Sequence, residues 1–124
     1  MASSSQGYHE RDELLSERTQ DLHRAIVSLQ EELEAVDWYQ QRIDATRDRE
    51  LREILVHNRD EEKEHAVMVM EWIRRRDVKF DALMRELLFK EGPIQGQHAG
   101  PGAQATPTAP RLTVGRLTGE GAPK

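Results

Sequence analysis

Glu62 and His65 form a Glu-x-x-His pair. On a helix this spacing puts both side chains on one face, one turn apart. One helix then offers a carboxylate oxygen and an imidazole nitrogen to a single metal ion. Both residues stand among apolar neighbours in a core-facing stripe. An unpartnered carboxylate buried there is costly enough that it must protonate or find a counter-charge. Glu32 lies in a comparable place on an earlier stripe, on the side shared by Ala25, Ser28, Ala35 and Tyr39. The plain alternative is that such polar residues only set helix register. A lone Glu-x-x-His says little, because both residues are common on helices. The weight comes from the pair lying in a seam, a second Glu on the facing helix, and a hairpin that must pair with another to be stable.

A second acidic set flanks the first. His57, Glu61 and Glu64 step by four and three along one helical face, and Glu31 and Glu34 sit one turn apart. A solvated charged face explains these residues. That is the stronger reading for any single residue; the functional one is a surface path that concentrates divalent cations near the site. Trp38 and Tyr39 read as core or interface aromatics. Tyr39 lies seven residues from Glu32, close enough along the helix to stand beside a metal.

The elements that position these residues are two long helices. Leu22, Ile26, Leu29, Leu33, Val36 and Ile43 follow a heptad seam, with Gln40 at the one polar gap. Asp44-Ala45-Thr46-Arg47-Asp48 breaks the pattern, and Thr46 or Asp48 can cap the next helix. A second seam runs through Leu51, Leu55, Asn58, Glu62, His65, Val69 and Trp72. A shorter helix carries Phe80, Met84 and Leu87 and is expected to stop at Gly92-Pro93. The short connection makes the long helices antiparallel. A lone two-helix hairpin has too little core to stand alone. The fold expected is therefore all-α: an antiparallel hairpin plus a short C-terminal helix, two hairpins forming a four-helix bundle.

That bundle closes a ligand count. Di-iron carboxylate bundles take one Glu from each of two helices and Glu-x-x-His from each of the other two. One chain holds half of this set, and two chains hold all of it. Four glutamates carry −4, and two Fe(II) ions carry +4.

Composition excludes several other classes. The 124 residues carry a formal charge of −5 and no cysteine. There is no disulfide framework, thiolate metal site or cysteine nucleophile. An acidic chain is a poor sequence-independent ligand for nucleic acid. No apolar run approaches a membrane span, and Met1–Gly7 lacks the apolar core of a signal peptide. A soluble cytosolic protein with neither nucleic-acid nor membrane partners is expected. All five prolines and seven of the eight glycines lie at or after Gly92, and all six aromatics lie before it. Residues 1–91 are expected to form the helical half-bundle, with 1–10 disordered, and 92–124 a disordered tail. Within the tail Leu112, Val114 and Leu117 make an apolar triplet. Leu112 and Val114 face the same side when extended, as suits docking in a groove. Residues 93–111 make a tether spanning roughly 25 Å.

Glu-Glu-Leu-Glu-Ala-Val-Asp-Trp-Tyr (31–39), with His-Asn-Arg-Asp-Glu-Glu-Lys-Glu-His-Ala (57–66), closely resembles the encapsulated ferritin family of bacteria. The likeness extends through Phe89-Lys90-Glu91-Gly92-Pro93-Ile94. Leu112-Thr113-Val114-Gly115-Arg116-Leu117 resembles the cargo-loading peptide that docks proteins inside an encapsulin shell. The resemblance implies a ferroxidase that oxidises Fe(II) with O2 at a di-iron site between two subunits. It implies a ring-shaped homodecamer held inside a cytoplasmic encapsulin nanocompartment, with iron stored in the shell. It maps the di-iron ligands onto Glu32, Glu62 and His65. It maps secondary metal sites onto Glu31 and Glu34, and onto His57, Glu61 and Glu64. Two other readings stay open. One is a non-catalytic helical adaptor or metal-binding cargo. The other is a di-metal enzyme of different chemistry, such as a Mn or Fe/Mn oxidase or a peroxide scavenger, because ligand type does not separate iron from manganese.

Overall fold

The computed structural model describes residues 7–97. The described residues form helices and turns with no strand. Helix α1 spans Glu17–Ala45, α2 spans Arg49–Arg76 and α3 spans Val78–Leu87. The chain divides into two compact units, Met1–Arg76 and Asp77–Lys124. No helix among the described residues is long and apolar enough to cross a membrane.

In the first unit, α1 and α2 pack as an antiparallel hairpin. Each is about 40 Å long at 1.5 Å per residue. Helix α1 begins five residues before Leu22, where the apolar seam starts. Ser16 caps it, its hydroxyl accepting from the Thr19 N–H at 3.1 Å. That cap is a local hydrogen bond, which apolar periodicity does not register. At the hairpin tip the two candidate caps divide the work. Thr46 Oγ1 accepts from the Asp48 N–H at 3.2 Å and shapes the turn. Asp48 Oδ1 accepts from the Leu51 N–H at 2.8 Å and starts α2. Arg52 reaches back to the carbonyls of Ile43 and Thr46, tying α2 to the end of α1. Asp48→Ala is expected to destabilise the hairpin by about 1 kcal/mol, the usual cost of a lost N-cap, read from chemical denaturation.

At the open end, Arg18 donates to the Arg76 carbonyl at 2.7 Å and satisfies the C-terminus of α2 from the neighbouring helix. Arg74 forks onto both oxygens of Glu71, at 2.8 and 2.7 Å, and Arg75 adds a third bond at 2.7 Å. Arg74 first, then Arg75, holds the Glu71 carboxyl down to about 2. Any stability this network adds is present above the ordinary carboxylate value of 4.5 and is lost as pH falls toward 2.

The inner stripe of α2 is turned one residue from the seam read in sequence. Ala66 and Ile73 are buried, whereas their neighbours His65 and Trp72 are half-buried and Leu51 is exposed. On α1 Ile43 is buried, while Ile26 and Leu33 are exposed. The apolar pattern is wider than one helix–helix contact consumes. Ile43, Ala66 and Ile73 are the only buried residues among those described. Ile26, Leu33 and Leu51 are exposed and the rest of the stripe apart from Ile43 is half-buried, so the hairpin leaves much apolar surface in water.

In the second unit, Asp77 caps α3, its carboxylate accepting from the Phe80 N–H at 2.8 Å. The helix ends at Leu87, five residues before Gly92. Leu88 is extended, and Phe89 takes the left-handed region at φ 58 while fully exposed. Nothing in the structure explains a phenylalanine at that position. Gly92 also has positive φ, and the Gln97 amide donates to the carbonyls of Glu91 and Pro93 around it. Ile94–Gln97 forms a short 3-10 turn.

Candidate metal centre

Glu32 projects from the middle of α1 and Glu62 and His65 from the middle of α2. The antiparallel register brings the three level. His65 Nδ1 lies 3.4 Å from Glu62 Oε1 and 3.6 Å from Glu32 Oε1. A ligand atom from each of the three fits within 4.8 Å of the others, and among the described residues this is the only such group of three His, Cys, Asp or Glu. The side chains are 25 % (Glu32), 24 % (Glu62) and 44 % (His65) exposed. The carboxylates are therefore mostly removed from water, while the imidazole opens to one face.

The electrostatics are those of a site short of positive charge. Glu32 is raised above 4.5, first by its hydrogen bond with Glu62, then by burial and the Glu62 charge, against the opposing pull of His65. Glu62 is lowered, first by that same hydrogen bond and then by His65. The hydrogen bond between the two carboxyls thus pushes their proton affinities apart, Glu32 up and Glu62 down. His65 is raised above 6.5, first by its hydrogen bond to Glu62 and then by the Glu62 and Glu32 charges, against the cost of burial. Two carboxylates and one imidazole, converging and under-neutralised, fit a hard or borderline cation such as Fe(II).

The raised imidazole sets a pH dependence with a definite sign. In the metal-free chain, protonated His65 stabilises the fold below 6.5, and that stability is lost as pH climbs through its raised value. A metal must displace the same proton, so cation affinity is expected to rise over that window. Calorimetric titration with Co(II) in buffers of different ionisation enthalpy should show proton release near neutral pH. His65→Ala should abolish that release.

The remaining candidates are not gathered by one chain. His57 Nε2 pairs with Glu61 at 3.2 Å, both largely exposed. Glu31, Glu34 and Glu64 are exposed and outside the converging group. Trp38 is 49 % exposed, and Tyr39 is half-buried with the Arg42 guanidinium 5.6 Å from its ring. A groove of about 490 Å³ runs beside the site on its open face, lined by Asp21, Arg24 and Ser28 of α1 and Met68 and Trp72 of α2. Sequence reasoning missed two contacts. The Tyr8 ring stands 4.8 Å from His23, and Arg59 reaches Gln40 across the hairpin. Neither leaves an apolar signal. Leu112, Val114 and Leu117 lie outside the described residues.

Comparison with known proteins follows the same lines. The EncFtn-like family matches residues 7–91. The chain is 52 % identical to the encapsulated ferritin-like protein of Rhodospirillum rubrum, over 98 % of this chain and 95 % of that protein. It is 33 % identical to the encapsulin nanocompartment cargo protein EncC of Myxococcus xanthus, covering 78 % of this chain and 85 % of that one. Among solved structures, protein ne0167 from Nitrosomonas europaea superposes with a TM-score of 0.69 at 59 % identity, over 71 % of this chain and 97 % of that one.

Proposed function

We propose a function from the premise that this chain belongs to the EncFtn-like family: it is a ferroxidase that oxidises Fe(II) with O2 at a site completed by a second copy. The observation that carries the reading is the convergence of Glu32, Glu62 and His65 within 4.8 Å on a hairpin face left open. Three ligands are half of what two iron ions need. A second hairpin related by a twofold axis supplies the other half and covers the exposed apolar stripe.

The chemistry follows from the ligand set. Iron is the substrate. Four carboxylates neutralise two Fe(II) ions and favour the Fe(III) product, while imidazole accepts both oxidation states. Two irons together deliver two electrons to O2, so no one-electron product is set free. Glu31 and Glu34, with His57, Glu61 and Glu64, gather cations at the surface and pass them inward.

The setting is an encapsulin nanocompartment in the cytoplasm. A relative is named as encapsulin cargo, and the Leu112, Val114 and Leu117 pattern suits a segment that docks on a shell protein. Residues 1–91 act as the helical half-bundle and 92–124 as the tether. The dimers assemble further into a ring of ten, and Fe(III) passes to the shell for storage. Oxygen uptake during anaerobic-to-aerobic Fe(II) addition tests the activity. Uptake proportional to Fe(II) and far above the buffer rate is expected. Uptake at the buffer rate would overturn it.

A further inference from the structure

Helix α1 packs on α2, and the residues most withdrawn from water are apolar and interchangeable: Ile43 on α1, Ala66 and Ile73 on α2, with Leu29, Val36 and Leu55 half-buried. Arg52 ties the helices at the hairpin tip and Arg18 at the open end, but the apolar contact between them does little to fix the alignment at the level of the metal centre. A polar residue that can be satisfied in only one alignment fixes register, at some cost in stability. The metal centre demands that alignment, since Glu32 must stay level with Glu62 and His65.

We propose that Arg59 and Gln40 are the positioning residues that set the register of α1 against α2 and so assemble the half-site; this rests on the metal-binding reading above. Arg59 stands one turn before Glu62 on the inner side of α2. Its side chain is only 19 % exposed, so a misalignment leaves Nη1 without its acceptor where water has little access. Its Nη1 donates to Gln40 Oε1 at 2.8 Å, 19 positions away on the facing helix. Its Nε and Nη2 are held by Asp60 Oδ1 at 3.0 and 2.9 Å. The Gln40 amide is itself oriented, its Nε2 donating to Asp44 Oδ1 at 3.1 Å. The acceptor is therefore aimed at Arg59 by a carboxylate one turn further along α1. A local slip or rotation of α1 against α2 of about 1 Å or a little more, far less than a turn, takes Gln40 Oε1 out of hydrogen-bond reach of Arg59 Nη1. Gln40 is thus the polar gap in the α1 seam for a reason of alignment. It touches no metal ligand and acts on them only through register.

Two readouts test this. The chain has no cysteine, so Asp37→Cys and Glu53→Cys allow two spin labels at exposed positions offset along the hairpin axis. In metal-free, spin-diluted protein a single narrow distance distribution is expected. Gln40→Leu, at an exposed position where leucine is tolerated, should broaden or displace it. The same substitution should weaken Co(II) binding by about tenfold, the low end for residues that orient ligands, and alter the Co(II) visible band. Gln40→Glu with Asp44→Asn preserves an acceptor for Arg59 and should retain both wild-type properties. Arg59→Leu should behave as Gln40→Leu. An unchanged distance distribution in Gln40→Leu overturns the proposal, as does failure of Gln40→Glu with Asp44→Asn to rescue. A distribution that shifts in protein taking no Co(II) upholds the register role and removes the metal site instead.

Discussion

Glu62→Ala is expected to cut oxygen-dependent Fe(II) oxidation by about 100-fold or more. Substitutions that merely touch a ligand from behind cost 10- to 100-fold, and this one removes the ligand itself. In a site shared by two copies it does so twice, leaving two carboxylates for two irons. Glu32→Ala and His65→Ala should fall in the same range. The imidazole variant tests a separate point, because it leaves all four carboxylates in place and removes only the nitrogen donors. Stopped-flow absorbance of the Fe(III) product, alongside oxygen uptake, checks all three. The hairpin should persist in each variant, since none of these side chains belongs to the buried set of Ile43, Ala66 and Ile73. Near-normal turnover in all three would remove the assignment.

The second large effect is on association. In the proposed dimer without metal, two facing half-sites would bring four carboxylates and two imidazoles together. Within one chain that charge is already strained enough to raise Glu32 and His65. A cation that binds the pair and not the single chain drives pairing by mass action. At 100 times its dissociation constant, one such site contributes about 2.7 kcal/mol, close to a hundredfold in the pairing constant. Native mass spectrometry across a protein dilution series, with and without anaerobic Fe(II), should show that shift. Glu32→Gln with Glu62→Gln removes the repulsion and the ligands together. It should associate well without metal and gain nothing from it. A helical adaptor whose polar residues only fix register predicts wild-type association indifferent to metal.

The convergence of Glu32, Glu62 and His65 was legible in the chain, and the reason is periodicity. Glu62 and His65 interrupt the α2 seam and Glu32 flanks the α1 seam, so helical spacing brings the three to one side of the hairpin. The hairpin was legible for the same reason, and so was the cap at Asp48. The one-residue turn of the α2 stripe was not, because a single apolar pattern serves more contact than one hairpin uses. Leu51, His65 and Trp72 belong to the stripe without being enclosed by it. The Ser16 cap, the Arg18 bond to the end of α2 and the Arg59–Gln40 bond were illegible for a different reason. They are hydrogen bonds between polar residues, and polar residues are abundant enough that spacing does not single them out. The helix stop at Leu87 defeated turn chemistry outright, since the left-handed residue is Phe89 and a glycine was available three positions on.

The central claim is that a pair of cations is shared between two copies of this chain. Anomalous diffraction at the iron edge, from crystals soaked anaerobically in ferrous salt, addresses it without reference to activity. Two iron peaks about 3.5–4 Å apart, each within bonding distance of Glu32, Glu62 and His65 side chains drawn from two protomers, are the predicted result. Iron held by one protomer alone, or no iron between these residues, would contradict it.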